Sequence, residues 1–299
     1  MFVAKFLNWD ECSQKEYEDA CLAYGYNCES SPEFLSFMIR NGAPLKFYAY
    51  KKKGQLQGSV CVDGGWIAND VKNNNRSIKT LPIPKYSIYL PVNESINNIL
   101  IPFKSKCVHH LQRNKFSNVS YRLFNDRNAA MSKDLGSDFS KKTISTRERE
   151  ARKFLSSGGS FVDVKELNPS DIFDIYNSLY FLRRGVETSD REINKKFFLE
   201  FHKNLKGEIM FINDEPLAIQ LILAVKSKAG FFADYINVGY KQDSAIKSVG
   251  TILMWNNLKC LNDEAEAEKL PLHYSYGFMS GEYKERWCNP EKVGRVIIP

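Results

Sequence analysis

The chain predicts a mixed α/β (α+β) fold built as two tandem halves, each a mostly antiparallel sheet flanked by helices. Three observations predict it. Apolar residues recur at helical spacing in several capped segments, period-two alternation fills the stretch from Glu208 to Val238, and a strand-turn-strand pattern near the front returns in the back.

In chain order, Asn8 to Tyr24 and Pro32 to Asn41 read as helices, with Phe34, Phe37 and Met38 on one face of the second. Leu45 to Tyr50, the turn Lys51 to Gly54 and Leu56 to Val62 read as a hairpin. The string LKFYAYKKKGQLQGSV and the later GEIMFINDEPLAIQLI both set an apolar strand, a polar turn and then Leu followed by alternation, the pattern of an internal repeat. Leu81 to Phe103 carries Pro82, Pro84, Pro91 and Pro102, which donate nothing to a ladder, so strands there should be edge or interrupted pieces. Asn125 to Lys142 is polar and without period. It reads as a linker, giving an N-terminal half at 1–124, a linker at 125–144 and a C-terminal half at 145–299.

Ser145 and Glu148 form a capping-box pattern ahead of Ala151, Phe154 and Leu155, a bridging helix that Gly158 and Gly159 stop. Val162 and Val164 alternate for one short strand. Asn168 then caps a helix with Pro169 at its first position, Ile172, Ile175, Tyr176, Leu179 and Leu182 on its inner face, and Arg183 and Arg184 in the last turn before Gly185. Ser189 and Glu192 repeat the capping box for a helix with Ile193, Phe197, Phe198, Phe201 and Leu205 buried, ended by Gly207. Glu208 to Ile212, the turn Asn213 to Pro216, Leu217 to Val225, the turn Ser227 to Gly230, and Phe231 to Val238 give three strands at hairpin spacing; the middle one is apolar enough to be covered on both faces. An amphipathic helix from Ser248 to Ala267, a strand Leu272 to Phe278, a short helical turn Gly281 to Trp287 and a closing strand Val293 to Ile298 complete the chain.

With 299 residues and 43% apolar content, the chain can build two cores. No run approaches the ~18 apolar residues that span a bilayer, and Met1 to Lys5 lacks a secretory apolar segment, so a cytoplasmic location is expected. Seven cysteines without a CxxC pair argue for reduced, buried thiols, against disulfides and against zinc. The adjacent His109 and His110 would point to opposite faces of a strand, a poor arrangement for one metal, so none is expected. The formal charge of +7 is moderate. Lys141, Lys142, Arg147, Arg149, Arg152 and Lys153 gather at the bridging helix, either as a solvated face or as a contact for phosphates of anionic lipid or substrate; nucleic acid is disfavoured because no base-reading pattern is present.

The strings TRERE, ARKFLSSGGSFVDV and SYGFMSGEYKERWCNP resemble the FemAB-like and CelD-like branch of GNAT acyltransferases over residues 145 to 299, and the element order of the back half is that of the GNAT fold. The opening SPEFLSFMIRNGAPLKFYAYKKKGQLQGSVCVDGGWIAND resembles the macrophage-inducible Mig family of bacterial proteins over nearly the whole chain. The likeness implies two GNAT-like halves, a link to survival of cationic antimicrobial peptides, and peripheral association with the cytoplasmic face of the inner membrane.

Acyl transfer on such a fold requires a splayed strand pair, amides to hold phosphates, and a group that moves the proton of the incoming amine. The helix start at Lys247, Ser248, Val249 and Gly250 offers free N–H groups and a positive dipole end, the candidate site for an acyl-CoA or aminoacyl-tRNA donor; an ordinary helix start reads the same, and a phosphate loop usually has more glycine. Asp234 in the third strand is a candidate base, or a surface acid. The resemblance places Tyr283 and Lys284 beside an acceptor cleft, Tyr283 as proton donor and Lys284 facing a phosphate or oxyanion; Tyr283, Arg286 and Trp287 equally suit a stack that locks the last helix. The expected activity is transfer to an amine of an envelope precursor or of a cationic peptide. A catalytically silent module binding peptide or membrane is the alternative. A transcription regulator fits less well, because the best-capped helix pair has an aromatic stripe where basic residues would be needed.

Overall fold

A computed structural model describes residues 2–74, 80–123, 127–242 and 245–298. The front half runs α1 (Phe2–Phe6), β1 (Trp9–Cys12), α2 (Gln14–Tyr24), α3 (Pro32–Arg40), β2 (Lys46–Lys52), β3 (Gln55–Asp63), β4 (Trp66–Ile67), β5 (Val119–Ser120) and β6 (Asn128–Ser132). The back half runs α4 (Lys141–Ser156), β7 (Gly159–Asp163), α5 (Pro169–Arg184), α6 (Arg191–Glu200), β8 (Leu205–Lys206), β9 (Glu208–Ile212), β10 (Glu215–Ser227), β11 (Gly230–Tyr240), α7 (Val249–Glu268), β12 (Leu272–Phe278), β13 (Cys288–Lys292) and β14 (Arg295–Val296).

The expected hairpins and the helices α3, α5 and α7 form as read. Several boundaries differ for local reasons. Asn8 to Tyr24 is not one helix: Asn8 takes a left-handed φ of 63°, Trp9 is buried with its indole N–H on the Leu100 carbonyl at 2.7 Å, and β1 pairs with β2 before Ser13 and Glu16 close a full capping box that starts α2. The bridging helix begins at Lys141, capped by Ser140 onto the Thr143 N–H, so Ser145 lies inside it. The expected Ser189 and Glu192 box is not made; Asp190 caps α6 in a left-handed conformation without a side-chain bond, and the helix stops at Glu200. Val164 lies past β7 in a 3-10 turn, and the expected closing strand is replaced by β13 and β14.

The long sheet has the order β13-β6-β12-β11-β10-β9-β7, and the front sheet the order β1-β2-β3-β4. Strand β6, from the stretch read as linker, sits between β12 and β13, so the front of the chain supplies an inner strand of the back sheet. Residues 125 and 126 of that stretch lie outside the described set. The proline-rich stretch forms isolated bridges only, as its missing donors require.

The halves do not keep separate cores. Phe34 and Phe37 of α3 pack on Phe197 and Phe201, with the Phe34 and Phe201 centroids 4.8 Å apart, in one cluster that also holds Leu221, Leu223 and Phe232. On the opposite face α7 is keyed by a chain of bonds: Asn257 accepts the Glu208 N–H at 2.7 Å and donates to Gln220 at 2.8 Å, and Gln220 donates to the Tyr274 hydroxyl at 3.0 Å. Gly207 is needed beneath this chain, because at φ 94° a side chain would meet Asn257 at 2.9 Å. His109 and His110, read as opposed on a strand, stack instead with centroids 4.3 Å apart at the start of a 3-10 turn. Among the described residues no cluster of His, Cys, Asp or Glu could hold a metal, and no helix is long and apolar enough to cross a membrane.

Two buried polar arrangements shape the sheet. Strands β11 and β12 run parallel but pair only over Phe231 to Asp234 and Leu272 to Ser275, while β11 continues to Tyr240. Beyond that point the strands separate. The Tyr276 and Phe278 carbonyls of β12 both receive the buried Lys284 ammonium, each at 2.6 Å, and Gly277 between them takes φ 77° against the Tyr86 ring. Burial pushes the Lys284 pKa down, and no acid pairs with it among the described residues. The second arrangement joins the halves. Buried Glu29 accepts the N–H groups of Tyr86 and Ser87 at 3.2 and 3.1 Å, and Asp234 faces the Cys28 thiol and Ser275 hydroxyl. Burial raises both carboxyls, Asp234 to about 7, and the Asp234 charge raises Glu29 further.

Two outcomes follow from these arrangements. Lys284→Met keeps the stem and leaves two carbonyls without a donor; chemical denaturation should show a loss of about 2–4 kcal/mol. An acid raised in the folded state holds a proton that the unfolded chain, with a carboxyl pKa of about 4, has released, so stability falls as pH rises from about 4 through 7. Asp234→Asn removes this term, and melting curves from pH 5 to 8 should show the variant gaining on the wild type as pH rises.

Candidate functional site

The separated ends of β11 and β12 are flanked by two cavities. The first, about 570 Å³, lies at the start of α7 and is lined by Lys247, Ser248, Val249 and Gly250 together with Tyr283, Arg286 and Trp287 from the turn after β12, and Arg147 from α4. The sequence-read donor site and Tyr283 therefore share one space. Ser248 caps α7 in a left-handed conformation, φ 62°, where a glycine would be unstrained, and its side chain makes no cap bond. Its carbonyl accepts the N–H groups of Thr251 and Ile252, while those of Val249 and Gly250 find no acceptor among the described residues. A side chain on Gly250 would meet nothing within 4 Å, so that flank of the helix start is open.

The electrostatics of this cavity are one-sided. Arg147, Lys241, Lys247 and Arg286 line it, and no acid does among the described residues. Arg147 is tied to Glu150 at 2.6 Å and stacks over Trp287, Lys241 is tied to Glu215 at 2.6 Å, and Lys247 and Arg286 form no ion pair among the described residues. With the helix dipole added, the space suits phosphate groups, and Trp287, Tyr240 and Tyr283 supply aromatic surface beside them. Tyr283 is half exposed at 51%, and its pKa is raised by burial against the lowering effect of Arg183, so the phenol keeps its proton at neutral pH.

The second cavity, about 330 Å³, lies on the other face of β11, between α5, α6 and the segment from Thr80 to Tyr86. Strand β11 is bulged there: Leu221 pairs with Asn237 and Ile222 with Tyr235, which leaves Ile236 as the extra residue. Tyr235 lines this cavity, stands 5.6 Å from Tyr276 across the separation, and lies within electrostatic reach of Tyr283 of the first cavity.

Two sequence candidates lie elsewhere. Asp234 is 6% exposed and faces Cys28 and Ser275 at the junction of the halves, lining neither cavity, because it sits at the last paired position of β11. Lys284 directs its ammonium into the backbone of β12 and not into the cavity that its neighbour Tyr283 lines. Sequence reasoning assigned no role to the Ile236 bulge or to Tyr235; an alternating strand carries no mark of a register shift. Arg147 was visible only as one member of a basic cluster.

Comparisons with known proteins bear on the fold and the family. Among solved structures, L-PGS from Bacillus licheniformis is 11% identical with TM-score 0.54, over 97% of this chain and 93% of that one. FemX is 8% identical with TM-score 0.53, over 97% of each. A tandem GNAT protein from the clavulanic acid biosynthesis pathway is 8% identical with TM-score 0.37, over 96% of each. The chain shares its fold with L-PGS and FemX over nearly its whole length, in line with the helix-flanked, mostly antiparallel sheets expected from its element order. No curated protein matches it. The Mig-14 family model matches residues 33–296, and the chain belongs to the Mig-14 family.

Proposed function

We propose that the chain transfers an acyl or aminoacyl group from a phosphate-bearing donor to an amine, and so supports resistance to cationic antimicrobial peptides. The observation that carries this reading is the cavity at the start of α7, which joins helix N–H groups and two cations without partners among the described residues to the Tyr283 phenol, next to separated parallel strands. The donor phosphates would lie on Lys247, Ser248, Val249, Gly250 and Arg286, with the reactive carbonyl between β11 and β12. The amine nitrogen forms a bond to the carbonyl carbon, the thioester or ester bond breaks, and Tyr283 gives its proton to the leaving sulfur or oxygen and recovers one from the attacking ammonium.

Acyl-CoA and aminoacyl-tRNA both present phosphates. The basic face of α4, with Arg147 and Lys153 bordering the cavities at Lys247, extends the positive surface beyond the volume that a small donor fills. The same face would meet anionic lipid if the protein lies on the cytoplasmic side of the inner membrane. A catalytically silent binding module is the second reading, favoured by one observation: of Asp234, Tyr283 and Lys284, only Tyr283 lines the cavity.

The test is donor binding followed by turnover. Acyl-CoA or charged tRNA should bind with an affinity that falls at least ten-fold in the Lys247→Ala, Arg286→Ala double variant and falls with added salt. Tyr283→Phe should lower kcat about ten- to a hundred-fold with KM nearly unchanged, as loss of a proton donor requires. Tight donor binding without any transfer to envelope amines or cationic peptides would leave the silent module standing, and no donor binding would overturn both the site and the activity.

A further inference from the structure

A third cavity, about 430 Å³, opens at the far end of α7, roughly 25 Å along that helix from its first turn. The last turns of α7, the start of β12, strand β13 and the segment after β6 wall it. Its charges are one-sided in the sense opposite to the cavity at the start of α7. Asp134, Glu266 and Glu291 bring three carboxylates against one ammonium, Lys133, and burial lowers the pKa of His110 and His273, which keeps both imidazoles neutral. Glu291 is tied at 2.8 Å to Arg113, which lies outside the wall. The negative dipole end of α7 adds to the field, since Ala265 and Glu266 come from its last turns. The donors of the wall have acceptors already. The Lys133 ammonium donates to the Glu285 carbonyl at 2.7 Å, the Ser132 hydroxyl to the Lys133 carbonyl at 3.1 Å, the Asn262 amide to Glu266 at 2.7 Å, the Asn289 amide to Asp138 at 2.8 Å, and the His273 ring to the Ala229 carbonyl. The Tyr274 hydroxyl receives the Gln220 amide under α7 and faces the Tyr276 phenol. His110 differs: its Nδ1 is buried and meets no partner among the described residues. Leu135, Leu258 and Leu270 line the rest of the wall with apolar surface. A negative field, an imidazole nitrogen without a partner and an apolar flank suit a positive group that only donates and is carried on an alkyl stem. A metal ion does not fit, because among the described residues no group of His, Cys, Asp and Glu could hold one.

We propose that this cavity binds an organic cation, an ammonium on an alkyl stem, with its charged head on the carboxylates of Asp134 and Glu266 and on the His110 nitrogen, and its stem along Leu258 and Leu270. The site does not rest on the transfer reading, because it shares no lining residue with either cavity beside β11 and β12. At about 430 Å³ the space takes one basic side chain or a short diamine, not a whole peptide. A basic peptide and a free diamine present the same head and stem, so the experiment carries one of each.

The experiment is calorimetric titration of the full chain at neutral pH, without any acyl donor, against Nα-acetyl-lysine methylamide, cadaverine and the neutral Nα-acetyl-norleucine methylamide. At least one of the two amines should bind about ten-fold or more tightly than the norleucine compound, with an affinity that falls as salt is added. Glu266→Gln, at an exposed position where the new amide oxygen still accepts from Asn262, should weaken that binding about five-fold or more with an unchanged melting temperature. The Lys247→Ala, Arg286→Ala double variant and Glu187→Gln, which alter the other two cavities, should bind the amine as the wild type does. Preference for the lysine compound identifies a basic peptide side chain, preference for cadaverine a free diamine, and either upholds the site. Equal affinity for the norleucine compound, binding that Glu266→Gln leaves unaltered, binding lost in the double variant or in Glu187→Gln, or failure of both amines to bind would overturn it. A protein that binds amines here yet transfers nothing keeps this inference and loses the transferase reading, whereas transfer without amine binding at this end of α7 does the reverse.

Discussion

The fold depends on a parallel strand pair that is abandoned part-way. Pairing of β11 with β12 stops after Asp234 and Ser275, and a sheet opened in its middle leaves carbonyls that must find donors inside the protein. Lys284 meets that demand with two bonds of 2.6 Å, from a side chain that burial would otherwise expel. A residue that looked like a phosphate ligand in the sequence therefore satisfies carbonyls of β12, while its neighbour Tyr283 lines the cavity at the start of α7. Gly277 completes the device, since its left-handed conformation lets β12 turn away beside the Tyr86 ring.

The second constraint is the union of the halves. The front half cannot drift as an independent domain, because Phe34 and Phe37 share a core with Phe197 and Phe201, and β6 is an inner strand of the back sheet. Glu29 ties the Tyr86 and Ser87 backbone down against this shared core, so the wall of the second cavity is set by the front half and its opposite side by α5 and α6. The position of Asp234 follows from the same union. On a lone sheet it would be half exposed; covered by the front half, it becomes a buried acid next to Glu29, and both carboxyls are pushed toward the neutral form.

The two cavities beside β11 and β12 differ in charge. One gathers cations with no acid among its described lining residues, and the other is lined by aromatic rings, hydroxyls and amides with Lys85 and Glu187 as its charged groups among the described residues. Tyr235 of the second cavity stands within electrostatic reach of Tyr283 of the first, near the ends of β11 and β12.

Local chemistry alone determined the helices α3, α5 and α7, the two hairpins and the start of α7, because caps, terminal glycines and the change from helical to period-two spacing are written within a few residues. The same reading found Lys247, Ser248, Val249, Gly250 and Tyr283, which do share a cavity. Tertiary structure decided what depends on distant partners. Asn128 to Ser132 reads as polar linker but is a strand, because β12 and β13 each lend it an edge. Asp234 and Lys284 have sequence neighbourhoods that suit chemistry, yet the front half covers one and the open β12 backbone captures the other. A side chain's direction is set by the groups left unsatisfied around it, and those groups come from parts of the chain far away in sequence.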